Sequence, residues 1–246
     1  MFKLFSTLFA VATAVSCSVQ QPAFPVAKFT TPSGEEVAVS MIHHGSIALS
    51  YKGFNIQVDP VLKMGAAEID YTAFPKADCI LVTHEHADHF DQALIGELRK
   101  EGTVLLTNDR CAQILGYGIP LGYGGQTTLP ELDGIRIEAV PAYNTTQGHL
   151  QFHPKGRDNG YVLTLDGFRI YIAGDTEDIP EMAGLKDIDV AFLPCNQPYT
   201  MTVQQCVNAA KMIGPKVLIP YHFSQTDIRT LPASLPGMDV RIRQMQ

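Results

Sequence analysis

Between residues 79 and 89 an apolar run, Cys79-Ile80-Leu81-Val82, passes directly into Thr83-His84-Glu85-His86-Ala87-Asp88-His89. Read as a strand running into a tight turn, the segment holds three imidazoles and two carboxylates at one sheet edge. Neutral histidine nitrogens and carboxylate oxygens suit zinc and similar borderline metals, and three or four of them converging make a site. A polar loop that merely happens to be rich in histidine is the simpler alternative. Five candidate ligands in seven residues favour metal, and the rest of the chain has to be arranged around that edge.

With 246 residues, 46% of them hydrophobic, the chain is long enough to bury a sizeable core. A formal charge of -7 argues against a nucleic-acid surface, which would be basic. It leaves a small-molecule substrate open, even an anionic one, because bound metal ions supply local positive charge. The first residues read as an export signal: Met1-Phe2-Lys3 is a short positive start, and the apolar stretch from Leu4 to Val15 is too short to span a membrane comfortably. It ends Ala14-Val15-Ser16-Cys17, similar to a bacterial lipoprotein cleavage box with Cys17 as the lipidated residue, although Ala14 departs from the usual Leu. Residues 1–17 are therefore expected to be a signal peptide, 18–36 a tether and 37–246 one domain. The expected location is the bacterial periplasm or the outer membrane, with the lipid anchor as the only membrane contact. No CxxC pair occurs among the other cysteines, Cys79, Cys111, Cys195 and Cys206, and core packing is the expected role of all four.

Two hairpins are expected, Ile47 to Val58 around Lys52-Gly53 and Tyr161 to Ala173 around Asp166-Gly167. Asp91 can cap a helix reaching Lys100 and stopping at Gly102, and a helix-like stretch from Arg110 to Leu115 precedes a glycine-rich turn. Thr202 with Gln205 makes a capping box for a helix that ends near Ile213 and is closed by Gly214-Pro215. Hairpins combined with strand–helix units imply two mixed sheets with helices outside, an α/β (α+β) architecture.

Four more strand ends carry polar groups: Asp59, the run Pro141-Ala142-Tyr143-Asn144, Gly174-Asp175-Thr176, and Tyr221-His222. With these in place the chain resembles the metallo-β-lactamase fold superfamily. His84-x-His86-x-Asp88-His89, Gly174-Asp175-Thr176 and His222 follow that superfamily's order and approximate spacing over almost the whole mature sequence. The resemblance implies a four-layer αββα sandwich with the site at the common edge of the sheets. It also implies two divalent metal ions, with zinc favoured and manganese or iron as alternatives. His84 and His86 would hold one ion, Asp88, His89 and His222 the other, and Asp175 would bridge them. Paired ions roughly 3.5–4 Å apart can share a hydroxide, and Asp88 is the candidate to take up a proton during turnover.

The chain departs from the superfamily at one ligand. Where the family usually carries a third histidine for the first ion, this sequence has Asn144, and the next imidazoles are His149 and His153. His153 is the favoured replacement, because Pro154 stiffens its backbone. Asp59 is expected to accept a hydrogen bond from a ligand histidine and fix its tautomer, with a plain turn aspartate as the alternative. His43 and His44 are assigned to structure or the substrate pocket rather than to ligation. Tyr143, Tyr199 and Tyr221 lie beside site segments as packing groups or as donors to a developing oxyanion. Lys155 and Arg157 are candidates to meet an anionic substrate, with a solvated loop as the simpler reading.

A two-metal site with a bridging carboxylate fits hydrolysis of an ester, lactone or phosphodiester. The β-lactamases of the superfamily generally lack the bridging Asp175, so antibiotic hydrolysis is not expected. The motif context looks closest to the branch of ascorbate-phosphate lactonase-like and phospholipase-D-like hydrolases. A non-hydrolytic metal-binding protein with an incomplete first site is the alternative.

Overall fold

The structure is a computed structural model that describes residues 24–129 and 132–245. The expected signal peptide, with Cys17, lies outside the described residues. A meander of four antiparallel strands opens the first sheet: β1 (Val26–Thr30), β2 (Glu36–His43), β3 (Ser46–Tyr51) and β4 (Phe54–Val58). Lys52 and Gly53 join β3 to β4 with φ of 47° and 82°. Two successive positive φ values let a two-residue turn follow the right-handed twist of its strands. After a small ribbon, β5 (Lys63–Met64) with β6 (Ala67–Glu68), the sheet continues in parallel through β7 (Ala77–Leu81), β8 (Arg99–Thr107) and β9 (Ile119–Pro120). Helices α1 (Gln92–Leu98) and α2 (Asp109–Leu115) form the crossovers.

The second sheet repeats this plan. Strands β10 (Gln126–Leu129), β11 (Ile135–Ala142), β12 (Asp158–Leu165) and β13 (Phe168–Ile172) are antiparallel. Parallel strands β14 (Val190–Pro194), β15 (Val217–Tyr221) and β16 (Asp239–Val240) follow, connected through α3 (Val203–Ile213) and the short α4 (Leu231–Ser234).

Alternation along the strands sorts side chains into layers. In β7, Cys79 and Leu81 join the core between the sheets, while Ile80 packs outward with Leu94, Ile95 and Leu98 of α1. In β14, Val190 and Phe192 face inward, while Ala191 and Leu193 pack beneath Val207 and Ala210 of α3. Each large aliphatic side chain so buried contributes about 1.5–3 kcal/mol. The result is the expected αββα sandwich, and its four cysteines outside the leader are free and buried.

Two expected boundaries move. The tether ends before residue 36: β1 pairs with β2 from Val26↔Ser40 to Thr30↔Glu36, and Ala27 is buried in the core. Alternating Val37, Val39 and Met41 mark β2, whereas β1 is an edge strand whose weak pattern gains its place by pairing. Helix α1 ends at Leu98 rather than Lys100. Arg99 pairs with Ala77 of β7, so backbone pairing outweighs helical propensity there, and residues 100–103 loop out before Val104 rejoins the register opposite Cys79. The α3 capping box is present, and Gly214 closes the helix in the left-handed conformation.

Candidate metal centre

β4, β7, β13 and β15 all end at one edge of the sandwich, and each delivers polar groups there. The turn after β7 is clamped from both sheets. Asp59 Oδ1 accepts from Thr83 N at 2.7 Å, and Thr83 O accepts from Asn159 N at 3.1 Å. Asp59 itself sits at φ 45°, a left-handed conformation that Asp tolerates, and its carboxylate is fully buried beneath the motif.

That carboxylate sets two tautomers. Asp59 Oδ2 accepts from Thr83 Oγ1 at 2.7 Å and from His89 Nδ1 at 2.8 Å. Since the Thr83 hydroxyl proton is committed to Asp59, its oxygen accepts from His84 Nδ1 at 2.9 Å. Both imidazoles therefore carry hydrogen on Nδ1 and turn Nε2 toward the site, the nitrogen that a ligating histidine would offer a metal.

His153 arrives by a different route, on the loop before β12. Its Nδ1 donates to Asn144 Oδ1 at 2.8 Å and lies 3.1 Å from Tyr199 O. The Asn144 amide cannot flip without loss, because its nitrogen donates to Tyr199 O at 2.8 Å and to Glu177 Oε1 at 3.2 Å. Glu177 is buried, and its other oxygen takes the amides and hydroxyls of Thr145 and Thr146 at 2.7–2.9 Å. Burial would raise the Glu177 pKa, but these donors outweigh it and hold the carboxyl down at about 2. Asn144 thus orients His153. The only trace of this relay in the sequence is the triplet Asn144-Thr145-Thr146 with Glu177 as a distant acceptor.

The inward-facing atoms gather in three groups: His84, His86 and His153; His84, His89 and Asp175; His44, Asp88 and His222. His84 Nε2 and His153 Nε2 lie 3.0 and 3.2 Å from His86 Nδ1. These nitrogens lie close enough together to be bridged by one cation. Asp175 has one oxygen in each neighbourhood. Its Oδ2 is 3.2 Å from His153 Nε2 and 3.9 Å from His84 Nε2, while Oδ1 is 3.4 Å from His89 Nε2 and 3.3 Å from His222 Nε2. Asp88 Oδ2 lies 3.4–3.7 Å from His44, His89 and His222. His89 Nε2, His222 Nε2 and Asp175 Oδ1 are buried with no hydrogen-bond partner. Orphaned donor atoms that converge on common centres fit divalent cations.

Glycines make this density of side chains possible. At Gly174 (φ 66°) an added Cβ would lie 2.5 Å from Asn159 O, so only glycine lets β13 deliver Asp175 against β12. At Gly45 it would lie 2.6 Å from His89 Cε1.

The electrostatics divide the imidazoles. Burial lowers the pKa of His84 and His86, and it takes His44 to about 4. Burial acts on His89 and His222 in the same sense, but Asp175 first, with Asp59 or Asp88, reverses it and raises them to about 9 and about 10. Asp88 and Asp175 are pushed far down by the same imidazoles, against burial, which favours their neutral forms.

Other expected residues lie elsewhere. His149 faces Glu177 at 3.5 Å, outside the three groups. Tyr221 is buried, accepting from Gly174 N, and Tyr143 donates to Glu181 at 2.8 Å; of the three tyrosines, Tyr199 lines the cleft. His44, assigned to structure or the pocket from sequence, joins Asp88 and His222, and its ring centroid is 3.7 Å from that of His222. The turn between β2 and β3 places it there, at the same sheet edge. Arg157 is held on Asp158 at 2.6 and 2.8 Å and lies 3.4 Å from Glu85 of the motif turn, and Lys155 is held on Tyr143 and Glu181 at 3.0 and 2.9 Å; neither lines the cleft.

A family model described as the beta-lactamase superfamily domain matches residues 38–222. The chain belongs to the metallo-β-lactamase superfamily. It is 31% identical over 179 residues to a UPF0173 metal-dependent hydrolase of Thermococcus kodakarensis, covering 69% of this chain and 77% of that one. A crystal structure from Parabacteroides distasonis, assigned as a metal-dependent hydrolase, superposes with a TM-score of 0.85 at 52% identity, covering 91% of this chain and all of that one. A metallo hydrolase from Ignicoccus hospitalis shares the fold, with a TM-score of 0.70 at 24% identity over 85% of this chain and 95% of that one. The superfamily member described here is a metal-dependent hydrolase.

Proposed function

We propose that the chain is a binuclear metallohydrolase acting on a small-molecule ester, lactone or phosphodiester, and not a β-lactamase. The single observation that carries this reading is Asp175, whose two oxygens face two different imidazole groups. His84, His86 and His153 would hold one divalent ion, Asp88, His89 and His222 the other, with Asp175 shared. Zinc suits this nitrogen-rich donor set best, with manganese or iron as alternatives. When bound, such a pair polarises the scissile group and makes water acidic enough to attack at neutral pH.

The protein's own residues supply the remainder. Asp59, through His89 and through Thr83 to His84, and Asn144, through His153, fix which nitrogen of each ring faces inward. Asp88, one-third exposed on the cleft wall, stays ionised and is placed to accept a hydrogen bond from the attacking water and to receive its proton. His44 lies 3.4 Å from Asp88 and orients it.

Export and a lipid anchor at Cys17 belong to the same proposal, supported by the leader pattern of the sequence. Among the described residues no helix is long and apolar enough to cross a membrane. Replacing Cys17 with Ala should release the protein from the membrane fraction. Continued partitioning would sink the anchor.

Elemental analysis of the purified protein tests the centre. Close to two ions per chain are expected in the parent and about one in His153→Ala. Two ions in both proteins would remove His153 from the ligand set, and one or none in the parent would sink the binuclear reading.

A further inference from the structure

The cleft over the metal centre has a volume of about 490 Å³ and two chemically distinct walls. One is the ligand cluster itself. The other comprises Met64, Phe152 and Tyr199, with Asn196 and Ser224 also in the lining. Phe152 and Tyr199 pack edge to face with ring centroids 4.9 Å apart. The Tyr199 backbone is fixed to the centre through its carbonyl, which accepts from Asn144, while the residue as a whole is left 46% exposed. An aromatic side chain held on rigid backbone and open to solvent is preorganised to cover an apolar group.

Cations are missing from this wall. No lysine or arginine lines the cleft among the described residues. The two nearest in sequence to His153 are already paired: Lys155 with Tyr143 and Glu181, and Arg157 with Asp158, the Phe152 carbonyl and Glu85, which does not line the cleft. Carboxylates Asp88 and Asp175 are the fixed charges that do line it. A phosphate or carboxylate carried away from the reacting bond would meet no counter-charge there and would lose its hydration, a penalty that neutral substrates escape.

We infer that the substrate is a neutral carboxylic ester or lactone carrying an apolar limb, seated against Met64, Phe152 and Tyr199. This rests on the hydrolase reading and narrows it. Water adds across the acyl C–O bond: its oxygen bonds to the acyl carbon, the C–O bond to the alkoxide breaks, and one water proton passes to the departing alkoxide oxygen. A carboxylic acid and an alcohol result, joined in one molecule for a lactone, and no oxidant or reductant is needed.

The test uses the zinc-loaded full protein with γ-lactones of increasing alkyl tail, from γ-butyrolactone to γ-decalactone. Bis(4-nitrophenyl) phosphate and 4-nitrophenyl phosphate form the anionic arm. Each methylene buried should raise kcat/KM about fourfold until the cleft is filled. Phe152→Ala and Tyr199→Ala should flatten that dependence, mainly through KM. Tyr199 is exposed enough for its variant to fold, and circular dichroism checks both.

Binding of 2-hexyltetrahydrofuran, which has no bond to hydrolyse, is followed in parallel by saturation-transfer NMR against tetrahydrofuran. Tail-dependent binding without turnover of any compound would sink the hydrolase reading while retaining the ligand class. Turnover of neutral lactones with no dependence on tail length would overturn the apolar wall. Preference for either phosphate ester, or failure of the tailed ether to bind together with inert lactones, would overturn the substrate class.

Discussion

The first sheet supplies His84, His86, Asp88 and His89 from one seven-residue turn, whereas the second supplies His153, Asp175 and His222 from three separate segments. Both sheets share a meander of four strands followed by a parallel run, so the difference lies in the loops at the common edge. A single turn fixes its candidate ligands by local backbone geometry and needs one partner, Asp59, to hold two of its rings. Candidate ligands drawn from separate segments each need their own support: Gly174 for Asp175, the Asn144–Glu177 relay for His153, and for His222 a backbone hydrogen bond to His44 O at 3.1 Å.

The residue on which both halves depend should show the largest effect. Asp175→Ala should remove both ions and lower kcat/KM by more than about 100-fold, since even residues that merely support ligands cost 10- to 100-fold. Elemental analysis with steady-state kinetics checks this. Retention of one tightly held ion would show that the single-turn half is self-sufficient.

Next come the two supports, taken as a pair. Asp59→Asn and Asn144→Ala should each weaken metal affinity by about 10- to 100-fold, measured by competition with a chromogenic chelator. Asp59→Asn is expected to affect His84 and His89 together, and Asn144→Ala the ion held by His153. If Asn144→Ala keeps full affinity, the carbonyl of Tyr199 alone suffices to orient His153.

A pH series on chelated protein probes the same division through protons. His89 and His222 have folded pKa values of about 9 and about 10, above the ordinary 6.5. Their contribution to stability is therefore complete below about pH 6.5 and is lost as pH rises through 9 to 10. The melting temperature of metal-free protein should fall across that window while metal affinity rises, because protons no longer compete for the ligand nitrogens. A flat profile would mean that the carboxylates do not hold these two imidazoles charged.

The smallest effect serves as a control. Thr202→Ala removes the α3 capping box and should cost about 1 kcal/mol, a drop of roughly 2–4 °C in Tm, with metal content unchanged. Metal loss in this variant would extend the support of the second half as far as α3.

Much of the architecture was open to reading from the residues. The two-residue turns and the capping box are local, set by φ preferences and by hydrogen bonds a few residues apart, and they stand where the sequence places them. Helix α1 shows the limit: whether Arg99 and Lys100 continue a helix or join β8 depends on a partner strand more than twenty residues earlier. Edge strand β1 was missed for the same reason.

The same boundary runs through the site. The turn motif alone determined that His84, His86, Asp88 and His89 share one edge, because seven consecutive residues cannot lie far apart. The tertiary structure decided that His153 rather than His149 stands beside His84 and His86, that His44 stands with Asp88 and His222, and that Arg157 and Lys155 are engaged away from the cleft. Each of these depends on distances between segments far apart in the chain. Those distances are fixed only when the sheets pack face to face and buried acceptors such as Asp59 and Glu177 select among the polar groups within reach.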